Sequence, residues 1–245
     1  QGSGGPRRNM LNRDMADLGV ARGPGNTWVM VLARPDIGGG GILGWSSRGQ
    51  LAEEMSVADQ ARTTVREALA RILDRVKARE TEGYSYDTAQ ASFELLARDE
   101  LGMLPEFFEV KRYRVTVERR KNKYNQMVSL SEAVVVVKVD GEKKLSVSES
   151  MDEAGNDRGP VNALSKALAK DLGRYQAAID DMRLVDFKVR ITQGGTEAVT
   201  RVIIDSEDGQ GRRWSTVGVS ANILDASFEA LLDAIRWKLI RDRAQ

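Results

Sequence analysis

The 245-residue chain has no cysteine and no histidine. Without cysteine there is no disulfide framework, no thiolate metal site and no thiol nucleophile. Without histidine there is no Ser-His-Asp triad, no HExxH zinc helix and no imidazole acid or base. Both absences fit a cytoplasmic address, which is the expected localisation. Excess charge of one sign is missing too: 37 basic against 36 acidic residues leave a net charge of +1, against a general nucleic-acid binder. No apolar run approaches the ~18 residues of a membrane span. Residues 1–10 are Gly- and Arg-rich without an apolar core, so no signal peptide is read, and the first residue, Gln1, marks a processed chain or a fragment. What is present, 41% hydrophobic and 30% charged residues, is a soluble globular composition sized for one or two domains.

The first hundred residues divide into a loose start and two helices. Residues 9–18 predict a short helix ending at Gly19, and residues 27–33 (TWVMVLA) a strand. The glycine run at 38–41 lacks the Lys-Ser/Thr and helix start of a phosphate-binding loop, so it is read as linker. From 56 to 80 the apolar residues Val65, Leu69, Ile72, Leu73 and Val76 recur at helical spacing, with Glu67 and Arg71 as an i,i+4 pair on the other face. Gly83 ends this helix. A second follows from 88 to 101, with Asp87 as N-cap, Gln90 at the capping-box position and Ala89, Phe93 and Leu96 on its apolar face. Gly102 and Pro105 stop it.

Residues 106–245 repeat themselves. Alternating strands at 113–120 and 185–192 are each followed by a segment opening Glu-Ala-Val, at 132–141 and 197–206. Each segment reaches an Asp-Gly turn, at Asp140-Gly141 and Asp208-Gly209, and returns on a third strand, 143–150 and 212–220. Each third strand enters a helix, 159–173 and 222–240, where Ala163-x-x-x-Ala167-Leu168 matches Ala226-x-x-x-Ala230-Leu231. The expected fold class is therefore α+β, two duplicated βββα units packing their helix-covered faces together, preceded by a small helical subdomain. The expected organisation is a flexible segment over 1–55, a helical linker subdomain over 56–105 and the double βββα domain over 106–245.

Chemistry concentrates where a third strand turns into a helix. Free N–H groups and the helix dipole attract a carboxylate there. At the first entrance the candidates are Gly159, Pro160, Asn162 and Ala163, with the acidic, Gly-rich residues 152–159 as a solvated connection or part of a ligand mouth. At the second they are Thr216, Gly218, Val219 and Ser220. Ser220 or Asn222 can cap the helix, and Asp186 can answer an ammonium group. Every capped helix offers such amides, so a turn or capping role stands beside an amino-acid receptor for each residue.

GPVNAL (159–164), DMRLVDFKVRI (181–191) and STVGVSANILDASFEALLDAI (215–235) resemble the C-terminal regulatory domain of the citramalate synthase / α-isopropylmalate synthase family. GYSYDTAQASFELLARDELG (83–102) resembles the helical subdomain before it, and the likeness lies nearer the citramalate branch. The resemblance implies a parent enzyme that condenses acetyl-CoA with a 2-oxo acid, pyruvate in that branch, in a metal-bearing TIM barrel on a route to isoleucine. It implies a regulatory domain that dimerises and binds the end-product amino acid, isoleucine or, in the other branch, leucine. The barrel's metal-binding His pair and the family's His-containing linker motif have no counterpart in a histidine-free chain, and residues 20–60 match nothing in the family. The expectation is a homodimeric regulatory fragment with no cofactor of its own, no condensation activity alone and no membrane partner.

Two other classes remain. Arg112, Arg114, Arg119, Arg120, Lys121 and Lys123 near Tyr113 and Tyr124, with Arg212, Arg213 and Trp214, raise an RNA-binding α+β domain; a solvated hairpin with strand-facing alternation is the favoured reading. Carboxylates such as Glu94, Asp99, Asp152, Asp157 and Asp205 raise an independent enzyme, but they show no catalytic spacing.

Overall fold

A computed structural model describes residues 17–23, 27–33, 48–152, 159–193 and 198–242. The glycine run at 38–41, residues 9–16 of the expected first helix and most of the 152–159 loop lie outside them. Two strands open the order, β1 (Asp17–Gly23) and β2 (Thr27–Ala33), paired antiparallel with Asp17 opposite Ala33. β2 is the strand expected there, but β1 replaces the end of the expected helix. Val20 and Ala21 join the pairing with Met30 and Val29, and a β-branched residue gains more in a ladder than in a frayed helix end.

Two helices follow, α1 (Arg48–Thr81) and α2 (Gln90–Glu100). The chain forms two compact units, one of Gln1–Ala78 with Leu96–Met103, the other of Arg79–Leu95 with Leu104–Gln245. In the first, the buried stripe of α1 is Ala68, Ile72 and Val76, at strict i,i+4 spacing, while Leu69 and Leu73 are 43% and 51% exposed. Ile72 and Val76 of the expected face are therefore buried as read, with Ala68 completing the stripe in place of Leu69 and Leu73, because periodicity alone does not fix which edge of an apolar stripe turns inward. Arg71 pairs with Glu100 at 3.1 Å, and Arg75 with Asp99 at 2.7 Å and Glu100 at 3.2 Å. At the end of α2, Gly102 adopts a φ of 65° and the Met103 N–H returns to the Arg98 carbonyl, a left-handed helix stop that glycine adopts freely.

The second unit holds the duplication. Its first sheet is β3 (Glu109–Lys121), β4 (Met127–Val139) and β5 (Glu142–Asp152); its second is β6 (Arg183–Gln193), β7 (Val199–Glu207) and β8 (Arg213–Ser220). Both are antiparallel with the middle strand central. Helix α3 (Gly159–Leu168) covers β4 and β5, and α5 (Ile223–Arg241) covers β7 and β8. In β4, Ala133, Val135, Val137 and Val139 point inward and are at most 2% exposed. Val202 and Ile204 do the same in β7. The matched helix residues Ala163, Ala167, Leu168, Ala226, Ala230 and Leu231 all lie in one core cluster, so the small-residue spacing read from the sequence is where helix meets sheet in both repeats. Each fully buried leucine contributes roughly 1.5–3 kcal/mol.

The two turns differ. Asp140 and Gly141 have φ of 51° and 86°, as a type I′ hairpin requires at both positions. The second return is longer than the Asp-Gly pair predicts. The Asp208 carboxylate accepts from the Gln210 and Arg212 amides at 2.9 and 3.0 Å, and the left-handed residue is Gly211, at φ 76°. Helix α3 also stops short of Gly173. Asp171 accepts from the Gly173 amide at 3.1 Å, and the Gln176 side chain holds the Ala169 carbonyl at 2.9 Å and the Leu172 amide at 3.0 Å. These local bonds compete with the helix. The chain continues through a 3₁₀ turn, Gly173–Tyr175, and a one-turn helix α4 (Gln176–Ile179).

Candidate functional site

At the first entrance, Gly159 opens α3 with a φ of 37°, and Pro160, in the first turn, gives up no intrahelical bond. Asn162 is half-buried beside it, whereas Ala163 is fully buried in the core. The structure therefore brings Gly159, Pro160 and Asn162 together at the helix start and assigns Ala163 to packing.

The second entrance is tightly built. Thr216 is fully buried and its hydroxyl donates to the Ala230 carbonyl at 2.8 Å. A Cβ on Gly218 would lie 2.0 Å from the Ala226 carbonyl oxygen, so only glycine lets α5 rest on β8. The Val219 amide donates to Glu229 Oε2 at 3.1 Å and the Val217 amide to Ser92 Oγ at 3.0 Å. Ser220 Oγ accepts from the Asn222 amide at 3.1 Å, and Asn222 caps α5 by accepting from Leu224 at 2.9 Å. Asp225, in the first turn, suits the positive end of the dipole and accepts from the Tyr113 hydroxyl of β3. The Tyr113 ring stacks on Phe228 with centroids 4.2 Å apart. The amides of Val217 and Val219 are thus held by side chains, and the cap is Asn222.

Asp186 is exposed on β6 opposite Asp205. Lys188 bridges the two carboxylates at 2.7 and 2.9 Å, and together with the Phe187 amide it holds Asp186 below the usual carboxylate range.

Apart from Glu94, named above only as one of several carboxylates, sequence reasoning passed over a set of residues that pack between α5 and Arg79–Leu95. Tyr84 donates to Glu229 at 2.7 Å, and burial, then the Glu229 carboxylate, pushes its phenol up. Ser92 donates to Asp233 at 2.7 Å; burial raises that carboxyl to about 7 against the lowering effect of this bond. Trp237 and Arg241 both donate to Glu94, at 3.0 and 2.8 Å. The signal available in the sequence was the four-residue spacing of Glu229, Asp233, Trp237 and Arg241.

Several residues behind the alternatives of other classes are engaged within the fold. Tyr113 turns inward onto Phe228, away from the basic residues of β3. Arg212 pairs with Asp208 and Asp242, Arg213 with Glu207, and Trp214 is buried against Trp237 at 5.1 Å. Among the carboxylates, Asp99 pairs with Arg75, and Asp205 binds Lys188 and Ser215; Asp157 lies outside the described residues. Among the described residues no three His, Cys, Asp or Glu side chains converge as a metal site. No described helix is long and apolar enough to cross a membrane.

Residues 87–239 match the family described as the LeuA allosteric (dimerisation) domain. The chain belongs to this family. It is 40% identical over 190 residues to an (R)-citramalate synthase of Geobacter sulfurreducens, covering 77% of this chain and 33% of that protein. It is 38% identical over 179 residues to the (R)-citramalate synthase of Aquifex aeolicus, covering 72% and 32%. A 2-isopropylmalate synthase of Methanocaldococcus jannaschii is 33% identical over 103 residues, covering 42% and 17%. The chain spans about a third of the length of the citramalate synthases it matches. It is a citramalate synthase-like regulatory domain of the LeuA family, and the double βββα architecture is that domain.

Proposed function

We propose that this chain is the feedback-regulatory and dimerisation part of a citramalate synthase, binding isoleucine as effector and pairing with a second copy of itself. The observation that carries this is the family match over 87–239, on a fold whose two repeats each lead a third strand into a helix start. Gly159, Pro160 and Asn162 at one start, and Thr216, Gly218, Val219 and Ser220 at the other, are the candidate effector contacts. Ala163 acts through the core that supports the first, and Asp186 is the candidate for the ammonium group, in exchange for its Lys188 partner. Condensation of acetyl-CoA with pyruvate, with its divalent metal, belongs to the remaining length of the related enzymes. The similarity to 2-isopropylmalate synthase favours leucine as the second candidate effector.

Thermal or urea unfolding with isoleucine, leucine or valine tests this. A ligand that binds only the folded state stabilises it by about 2.7 kcal/mol at a hundredfold excess over Kd. Stabilisation by isoleucine alone is expected. Stabilisation by leucine alone assigns the isopropylmalate branch, and no stabilisation by any of the three removes the effector role.

A further inference from the structure

Counted from the matched Ala163 and Ala226, Lys166 and Lys170 hold the places in the first repeat that Glu229 and Asp233 hold in the second. The third strands beside them differ too. β8 is an edge strand whose outward amides are taken, Val217 donating to Ser92 and Val219 to Glu229. β5 is the matching edge of the first sheet. Its hairpin turns through two residues, with Val139 opposite Glu142, and a hydrogen-bonded pair flanks such a turn. Lys143, Leu145, Val147 and Glu149 therefore turn their N–H and C=O groups away from β4. Among the described residues, that side is met by Lys170, whose Nζ donates to the Val147 carbonyl at 2.8 Å. Between this edge and the end of α3 lies a groove of about 670 Å³, with Val147, Glu149, Lys166, Ala169 and Lys170 in its lining.

An open strand edge is a template for another strand, and lysine is one of the devices that guard it. The guard here also selects. Leu145 is 61% exposed on the outer face, beside Val147, while Lys166 and Lys170 stand on the helix face. A strand laid along β5 presents alternate side chains to these two faces. It fits when carboxylates meet the lysines and aliphatic side chains meet Leu145 and Val147. A carboxylate also gives the Lys170 ammonium a charge-assisted bond in exchange for the carbonyl. A second copy of this chain fits badly, because antiparallel pairing of β5 with itself lines up the lysines of both copies, and facing like charges are destabilising. We propose that the β5 edge of the first repeat is a docking site for an acidic strand of a partner protein, added to the sheet by main-chain bonds and read by Lys166 and Lys170. Lys166 lies in the last turn of α3, at the far end from Gly159, and the site is independent of the effector role.

The test is residue-resolved amide exchange, by nuclear magnetic resonance of the whole chain, titrated with the peptide acetyl-Glu-Val-Glu-Val-Glu-Val-Glu-amide. Two control peptides accompany it, one with lysine for every glutamate and one with the central valine N-methylated. The acidic peptide alone is expected to slow exchange about tenfold at the amides of Leu145, Val147 and Glu149, leaving Ser146 and Ser148 unchanged. Lys166→Glu with Lys170→Glu should weaken the acidic peptide about tenfold and admit the lysine peptide. Lys166→Glu alone serves should the double variant lose the native circular dichroism. Absence of protection at these three amides overturns the site. Equal binding of the N-methylated peptide overturns strand addition, and affinity unmoved by the lysine reversals overturns the charge reading. Protection of the same amides that rises with protein concentration, without peptide, makes a second copy the occupant and overturns the acidic partner.

Discussion

Gly218 shows how much one absent side chain decides. Its hypothetical Cβ meets backbone atoms, the Ala226 carbonyl at 2.0 Å and the Ala230 amide at 2.9 Å, and backbone cannot rotate aside as a side chain can. Gly218→Ala must therefore push α5 off β8 or shear the sheet. Thr216, two residues away on the same strand face, would lose its bond to the Ala230 carbonyl. Overpacking of a well-packed core costs about 1–3 kcal/mol, and a clash with helix backbone belongs at the upper end. Urea unfolding of Gly218→Ala is expected to show a loss of about 3 kcal/mol; a loss within experimental error would mean that α5 does not rest on this strand. The sequence pointed to Gly218 as a place for a ligand to approach closely. The structure gives it a packing role first, and both roles require the same missing Cβ.

At the scale of elements, α5 carries two faces with opposite chemistry. Ala226, Ala230 and Leu231 enter the core, while Glu229 and Asp233 accept from Tyr84 and Ser92. Asp233 is held by Ser92 from α2 and lies in the field of Glu229 and Arg236 on its own helix and of Arg79 at the end of α1; burial, the largest influence, raises its carboxyl from 3.8 to about 7. The folded state therefore holds this proton more tightly than the unfolded chain. Its stabilising contribution is full below about pH 4, is lost as pH rises towards 7, and is gone above. Asp233→Asn removes that slope, so its stability should gain on the natural protein by up to about 1.4 kcal/mol per pH unit across this window and keep a constant difference above it. Urea unfolding of both proteins through the window checks this, and parallel curves would place the titration elsewhere. Element identity was largely legible beforehand, because strand alternation, the Asp140-Gly141 turn and the Ala-x-x-x-Ala-Leu spacing are local signals. The early end of α3, the longer loop after Asp208 and the exposure of Leu69 and Leu73 were not, since each is decided by side-chain bonds or packing that periodicity does not carry. The bond of Tyr84 to Glu229 was hidden for a related reason: the two are 145 positions apart in the chain, and only the fold makes them neighbours.

On the scale of the whole double repeat, the decisive fact is that one core cluster draws on both repeats. Val135, Leu164 and Leu168 from the first repeat join Ile204, Leu231 and Leu239 from the second. A three-stranded sheet with one helix buries too little surface to stand alone, so neither repeat should fold without the other, and damage in one must be felt in both. The tryptophans allow this to be seen, because Trp214 and Trp237 both lie in the second repeat. In a background where Trp28 and Trp45 are replaced by Phe, emission reports on that repeat alone. Leu164 is fully buried in the first repeat, and Leu164→Ala should cost roughly 2–5 kcal/mol. A shared core requires the emission transition to move to lower urea by the same amount as the far-ultraviolet circular dichroism. An emission midpoint that stayed in place would show two repeats unfolding separately. Coincident movement would show that the two helix starts, one in each repeat, answer to a single folding equilibrium, so that a ligand held at either one stabilises both.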